Sequence, residues 1–136
     1  MDVFSPAKRS EIMRRVRSKG TKPELAVRRL VAELGFHYRL NSKKLPGHPD
    51  LVFGRLHKVI FVHGCFWHGH SCKAADLPAS NREYWEAKRL RNVERDKQTR
   101  RDLRRSGWKS LVVWECQASK DTTRNRVRKF LRGENV

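Results

Sequence analysis

Cys65, His70 and Cys72 form a Cys-x4-His-x-Cys run, and Cys116 closes an apolar run further along the chain. Four such ligands make a Cys3His tetrahedral set, which is closed and therefore a structural zinc site. The alternative is three unrelated cysteines packed as small hydrophobes, but the run is too compact and polar for a core. Zinc there would pin the loop after Val62 to the end of a later strand, and its binding energy would become folding energy. An odd cysteine count, three, argues against a disulfide framework.

His63 and His68 are left over from that set. Pro49-Asp50 opens one apolar run and Phe61-Val62-His63 ends the next. If the two runs are adjacent antiparallel strands, the Asp50 carboxylate comes close to the end of the second. A lone carboxylate at strand ends can hold Mg²⁺, with a backbone carbonyl and waters completing the octahedron. Mg²⁺ polarises a phosphate oxygen and lowers the pKa of a bound water. An imidazole such as that of His68 moves protons near neutral pH, and Asp96 would orient it if its helix passes nearby. On the residues alone, Asp50 could equally be a turn or capping residue.

Charge indicates what such a centre acts on. Lys and Arg number 32 against 14 Asp and Glu, a net +18 over 136 residues, with a pI near 10.9. That balance steers in a polyanion, and nucleic acid is the expected partner through phosphate contacts. A membrane is the competitor, but the apolar runs Val59–Val62 and Leu111–Trp114 are far shorter than the about 20 residues of a spanning helix. The N-terminus shows no apolar targeting segment, so a cytoplasmic address is expected. Hydrophobic residues are 38% and charged residues 34%, a lean core that a structural metal would supplement. The length suits one domain over residues 1–136.

The elements that must position these residues follow from punctuation and periodicity. Ser5-Pro6 opens a basic helix that Ser18-Lys19-Gly20 breaks. Thr21-Lys22-Pro23-Glu24 is a capping box, followed by a helix with an apolar face of Leu25, Val27, Leu30, Val31 and Leu34 and a Gly35 cap. An extended piece, Phe36 to Leu40, leads to turn-rich Lys44–Pro49. Asp50 to Phe53 and Lys58 to Val62 read as strands joined through Gly54–His57, the second buried and central. Ser80-Asn81-Arg82-Glu83 is a second capping box, opening a helix to Arg105 with a bend or break near Arg91-Asn92. Ser110 to Glu115 is a third core strand, beside which Trp108 and Trp114 pack. Asp121 to Leu131 is a basic helix. This order predicts an α/β or α+β domain with helices flanking one sheet. His37, His48 and His57 read as turn or surface histidines.

The segments Leu-Pro-Gly-His-Pro-Asp, Val-Ile-Phe-Val-His-Gly-Cys-Phe-Trp-His-Gly-His-Ser-Cys, Asn-Val-Glu-Arg-Asp and Val-Val-Trp-Glu-Cys, in this order over about residues 8 to 117, closely resemble the very short patch repair endonucleases. The resemblance implies a restriction-endonuclease-like fold with a central mixed sheet. It also implies Mg²⁺-dependent nicking of double-stranded DNA on the 5′ side of the thymine in T·G mismatches, which arise when 5-methylcytosine deaminates. Asp50 matches the family's metal-binding aspartate, His63 and His68 its active-site histidines, Asp96 the partner of the second, and Glu24 an acid of the N-terminal active-site region. Cys65, His70, Cys72 and Cys116 coincide with its structural zinc ligands. Phe66, Trp67 and Trp85 correspond to aromatics that wedge into the duplex at the mismatch. Residues 1–20 would form a basic arm over the DNA. A bacterial, nucleoid-associated address and mismatch-repair proteins as candidate partners go with the resemblance; no feature of the sequence demands an oligomer, so a monomer is expected.

The chain departs from the pattern in places. The wider nuclease superfamily carries (Asp/Glu)-x-Lys where Phe61-Val62-His63 stands, and relatives often have threonine where Val62 is; only the Val62 main-chain carbonyl is expected to touch metal. Gly69 and Ser71 replace histidines. Glu24 is explained by helix capping as well as by catalysis, and Trp85 by core packing as well as by intercalation. Two other functions stay open: a nuclease of the same fold with another target, such as a defence enzyme, and a non-catalytic zinc-stabilised DNA-binding module.

Overall fold

The computed structural model describes residues 21–40, 43–65, 68 and 80–133. The expected helix at Ser5–Gly20 therefore lies outside the described residues, as do Phe66, Trp67, His70 and Cys72.

Thr21 opens helix α1 (Lys22–Glu33), its Oγ1 accepting the Glu24 N–H at 3.3 Å, with proline in the first turn. Gly35 ends it at φ +84°, where only glycine sits without cost. The Gly35 N–H bonds the Ala32 carbonyl and the Phe36 N–H that of Val31, a Schellman closure. Val27, Leu30 and Val31 are buried as periodicity requires, but Leu25 is 46% exposed. Helical spacing puts it off the stripe, and Ala26 packs on the core in its place.

Strands β1 (Arg39–Leu40), β2 (Leu51–Phe53), β3 (Lys58–His63) and β4 (Lys109–Trp114) form one mixed sheet in the order β1-β2-β3-β4. β1–β2 and β2–β3 are antiparallel, and β3–β4 is parallel with His63 beside Trp114. A parallel pair needs a crossover, supplied by helix α2 (Arg82–Arg105). Helix α3 (Asp121–Arg132) follows β4.

Strand periodicity assigns the faces of β3. Ile60 and Val62 pack with Val27, Val31, Val127 and Leu131, so α1 and α3 cover that face. Val59 and Phe61 pack with Leu103 of α2 on the other. His63 continues the second set and therefore points toward α2. Lys58 is buried at the far end of β3, where its Nζ donates to the Phe130 carbonyl at 2.5 Å and so caps α3.

Two expectations about α2 are corrected. The Ser80 capping box does not form: Asn81 is the N-cap, in a left-handed conformation with no side-chain capping bond. The helix then runs unbroken through Arg91-Asn92. Its outer face carries ion pairs one turn apart, Arg82–Glu86 at 3.9 Å and Lys97–Glu94 at 3.5 Å, which support a helix of low apolar content. Leu103 is fully buried. Asp96, Thr99 and Arg100 precede it by seven, four and three positions, on the same face.

The approach to Asp50 is a Pro46-Gly47 turn. The His48 N–H bonds the Leu45 carbonyl at 3.2 Å, and Gly47 has φ +75°, as a type II turn requires. A Cβ on Gly47 would collide with Thr99 Cγ2 and press on Phe61. The loop is thus seated directly on α2.

Candidate active site

Continuing the β2–β3 register one step past Leu51↔Ile60 sets Asp50 beside the end of β3. The Val62 N–H donates to Asp50 Oδ2 at 2.6 Å, which fixes the carboxyl against the strand. Glu24, 2% exposed on α1, reaches the same place and is hydrogen-bonded to Asp50. Arg28 holds its other side. Two carboxyl groups can hydrogen-bond only if one carries a proton. Accordingly the Asp50 carboxyl is pushed up to about 7, first by burial and then by Glu24, against the lowering effect of the Val62 N–H. The capping threonine and the site acid are therefore two parts of one turn of helix.

The second half of the site comes from β3 and α2. Asp96 Oδ2 lies 2.6 Å from His68 Nδ1. A carboxylate only accepts, so Nδ1 carries the hydrogen and Nε2 is left for other work. The His63 ring stacks on that of His68 at 3.8 Å and 6°, and Trp114 stands edge-on to His63 at 5.5 Å. His63 Nδ1 is buried without a hydrogen-bond partner among the described residues; Asp96 is 4.0 Å away. Burial first, then the His68 charge, holds the His63 ring down at about 3, so it is neutral in the working range.

These groups line a cavity of about 230 Å³ with Gly47, His48, Thr99, Arg95, Arg100 and Val112. The structure thus brings Asp50, Val62, His63, His68 and Asp96 to one cavity, with Glu24 against Asp50 and outside the lining. The Val62 side chain packs on the opposite face, so at the site it offers backbone only, and a hydroxyl there would not point into the cavity. Oxygen donors at Asp50 and the Val62 carbonyl are the hard ligands Mg²⁺ takes, and a buried acid pair holding a proton is a place where a cation can replace that proton.

Sequence reasoning missed five contributors: His48, Arg95, Thr99, Arg100 and Trp114. His48 lines the cavity, and Trp114 packs on His63 rather than only within the core. Arg95 and Arg100 were two among many basic residues of α2. The signal that could have found Thr99 and Arg100 was their spacing of three and four from Asp96.

Cys65 is buried and Cys116 exposed. Each follows the registered pair His63↔Trp114 by two residues, and the Cys65 N–H donates to Glu115 Oε1 at 3.0 Å. Two of the four expected thiolate and imidazole donors thus arise from separate segments at one end of the sheet. Trp85 lies apart from the cavity lining, 5% exposed, edge-on to Tyr84 at 4.9 Å and beneath Lys88 Nζ at 5.8 Å.

A sheet whose strand ends carry a carboxyl able to hold a hard metal, facing a helix that orients an imidazole, has the parts of a phosphodiester-cleaving enzyme. The sequence model of the family described as DNA mismatch endonuclease Vsr matches residues 1–74. Among curated proteins, the type II nicking enzyme V.NmeAIP of Neisseria meningitidis is 42% identical over 96% of this chain and 94% of its own. The type II nicking enzyme V.XorIIP of Xanthomonas oryzae is 48% identical over 87% of each. The DNA mismatch endonuclease Vsr of Escherichia coli is 41% identical over 85% of this chain and 74% of its own. The chain is a DNA-cleaving hydrolase, an endonuclease. It belongs to the DNA mismatch endonuclease Vsr family. No helix of the described residues is long and apolar enough to cross a membrane.

Proposed function

We propose that this endonuclease depends on Mg²⁺ and nicks duplex DNA on the 5′ side of the thymine in a T·G pair, as a repair enzyme with a restriction-endonuclease-like core. The observation that carries this is one cavity holding both Asp50, anchored to the β3 backbone, and an imidazole already bonded to a carboxylate. A pure binding module has no use for buried acids where phosphate must lie.

Asp50 and the Val62 carbonyl would hold the metal, with Glu24 behind Asp50. When bound, Mg²⁺ polarises a phosphate oxygen and lowers the pKa of a water. His68, its Nδ1 committed to Asp96, exchanges a proton through Nε2 with the reacting water or the leaving sugar oxygen. His63 stays neutral, holds the plane of the His68 ring by stacking, and offers Nδ1 to a water or a DNA oxygen. Phe66 and Trp67 would supply the wedge, at a cost of a few kcal/mol per unstacked step that a mismatch lowers. Trp85 would have to turn out of its buried position to join them.

The test compares duplexes that differ only in one T·G pair, with Mg²⁺ present. A single nick beside the mismatched thymine is expected, and equal cutting of the matched duplex would remove the mismatch assignment. The relatives named as nicking enzymes favour the second reading, a Vsr-family nickase with another target, which that outcome would support.

We also infer a structural zinc at Cys65, His70, Cys72 and Cys116. Elemental analysis should find one zinc per chain, and Cys65→Ala should lose it and lower the melting temperature. A zinc-free wild type would refute the staple.

A further inference from the structure

Asp96 lies between cations. At about 100° per residue, Arg95, Thr99, Asp96 and Arg100 cover roughly 140° of α2, with the two arginines at the edges. All four line the cavity, and the two arginines are the only Lys or Arg among the described residues that do. β3 brings Phe61, Val62 and His63 and no Lys or Arg.

The acids nearby are committed elsewhere. Asp96 is held by His68, Asp102 by Gln98, Glu86 by Arg82 and Glu94 by Lys97. Among the described residues neither guanidinium has a carboxylate within ion-pair distance. Arg100 is half-buried and Arg95 exposed at the rim. Arg100 is also close enough to His63 for its charge to be felt there.

A phosphodiester entering this cavity meets the carboxylates of Asp50 and Asp96. Fixed cations must offset that repulsion, and a planar guanidinium does so while bonding two phosphate oxygens at once. Negative charge grows on the non-bridging oxygens as the bond to phosphorus changes hands, so donors already in place lower the barrier.

We propose that Arg95 and Arg100 grip the scissile phosphodiester from α2, Arg100 within the cavity on the non-bridging oxygens and Arg95 from the rim. This rests on the reading of the cavity as the place of DNA cleavage. It adds a phosphate clamp on the side of the site away from the strands.

The test is single-turnover nicking with enzyme in saturating excess over a cleavable duplex in Mg²⁺, alongside duplex affinity measured without metal. Arg100→Gln should slow nicking by about 10²- to 10³-fold while affinity falls less than tenfold. Arg100→Lys should recover part of the rate, and Arg95→Gln should cost about tenfold. Arg100→Met, which keeps the aliphatic stem, covers an Arg100→Gln variant that melts early.

Three results would overturn the clamp: wild-type rate in both Arg100→Gln and Arg100→Met, a loss that vanishes at saturating enzyme, or early melting of both variants, which would mark a structural role. A wild type that cuts no duplex in Mg²⁺ would instead remove the nuclease reading of the cavity, and the clamp with it.

Discussion

Asp50→Asn should yield a protein that is more stable than the wild type at pH 8 without metal and is inactive as a nuclease. The raised carboxyl, about 7 against 3.8 in the unfolded chain, means the fold binds the Asp50 proton more tightly than the unfolded chain does. Its contribution is therefore fully present below about 3.8 and is lost as pH rises through about 7. At about 1.4 kcal/mol per pKa unit, the ionised form costs the metal-free fold on the order of 2–4 kcal/mol. Asparagine carries no such charge, can accept from the Val62 N–H and can donate to Glu24.

His63 works in the opposite sense. Its ring is held down at about 3, so it contributes stability above about 6.5 that is lost as pH falls toward 3. The wild-type curve mixes both groups between 4 and 6.5, and only the difference between variant and wild type isolates Asp50. That difference should be near zero at pH 4 and reach its full value by pH 8. Mg²⁺ at pH 8 should raise the melting temperature of the wild type and not of Asp50→Asn. Nicking should fall at least about a thousandfold, the several kcal/mol a metal ion supplies. Equal stabilisation of both proteins by Mg²⁺ would place the metal elsewhere.

His68→Ala should slow nicking by about 10²- to 10⁴-fold, the range of a positioned proton-transfer group. Asp96→Asn should fall within that range too. An amide at 2.6 Å from His68 Nδ1 can donate as well as accept, and so no longer fixes which ring nitrogen carries the hydrogen. The double variant should be little worse than His68→Ala, because the two act as a unit. Single-turnover rates across pH decide it: additive losses, or Asp96→Asn at wild-type speed, would separate the pair. Duplex affinity should fall no more than a few-fold in His68→Ala and should not fall in Asp96→Asn, which removes a negative charge beside the phosphate.

Much of this arrangement is legible in the sequence, and the reasons are local. Thr21 and Gly35 bracket α1 through backbone chemistry that no distant contact alters. The β2–β3 hairpin follows from the Gly54–His57 break between two apolar runs, and it alone carries Asp50 to the end of β3. What stayed hidden depended on which face each element covers. Leu25 belonged to the apolar list by composition, but only packing of α1 on the sheet decides that Ala26 serves and Leu25 does not. Trp114 looked like core because its strand is apolar; parallel pairing with β3 sets it beside His63. Arg95 and Arg100 were indistinguishable from the other arginines of α2 until Leu103 fixed the helix rotation. Asn81 displaced Ser80 as N-cap because the chain enters α2 in a left-handed turn that side-chain preference does not foretell.

β3 divides its labour by parity. Its even positions Ile60 and Val62 pack against α1 and α3, its odd positions Val59 and Phe61 pack against α2, and only the odd row ends in His63. The two rows therefore cannot exchange faces without cost. A slip of one residue against β2 would turn a valine to the cavity and sink an imidazole among valines and leucines. The Gly54–His57 link sets that alignment, so its length, more than the identity of any residue within it, decides which of two neighbours faces the cavity.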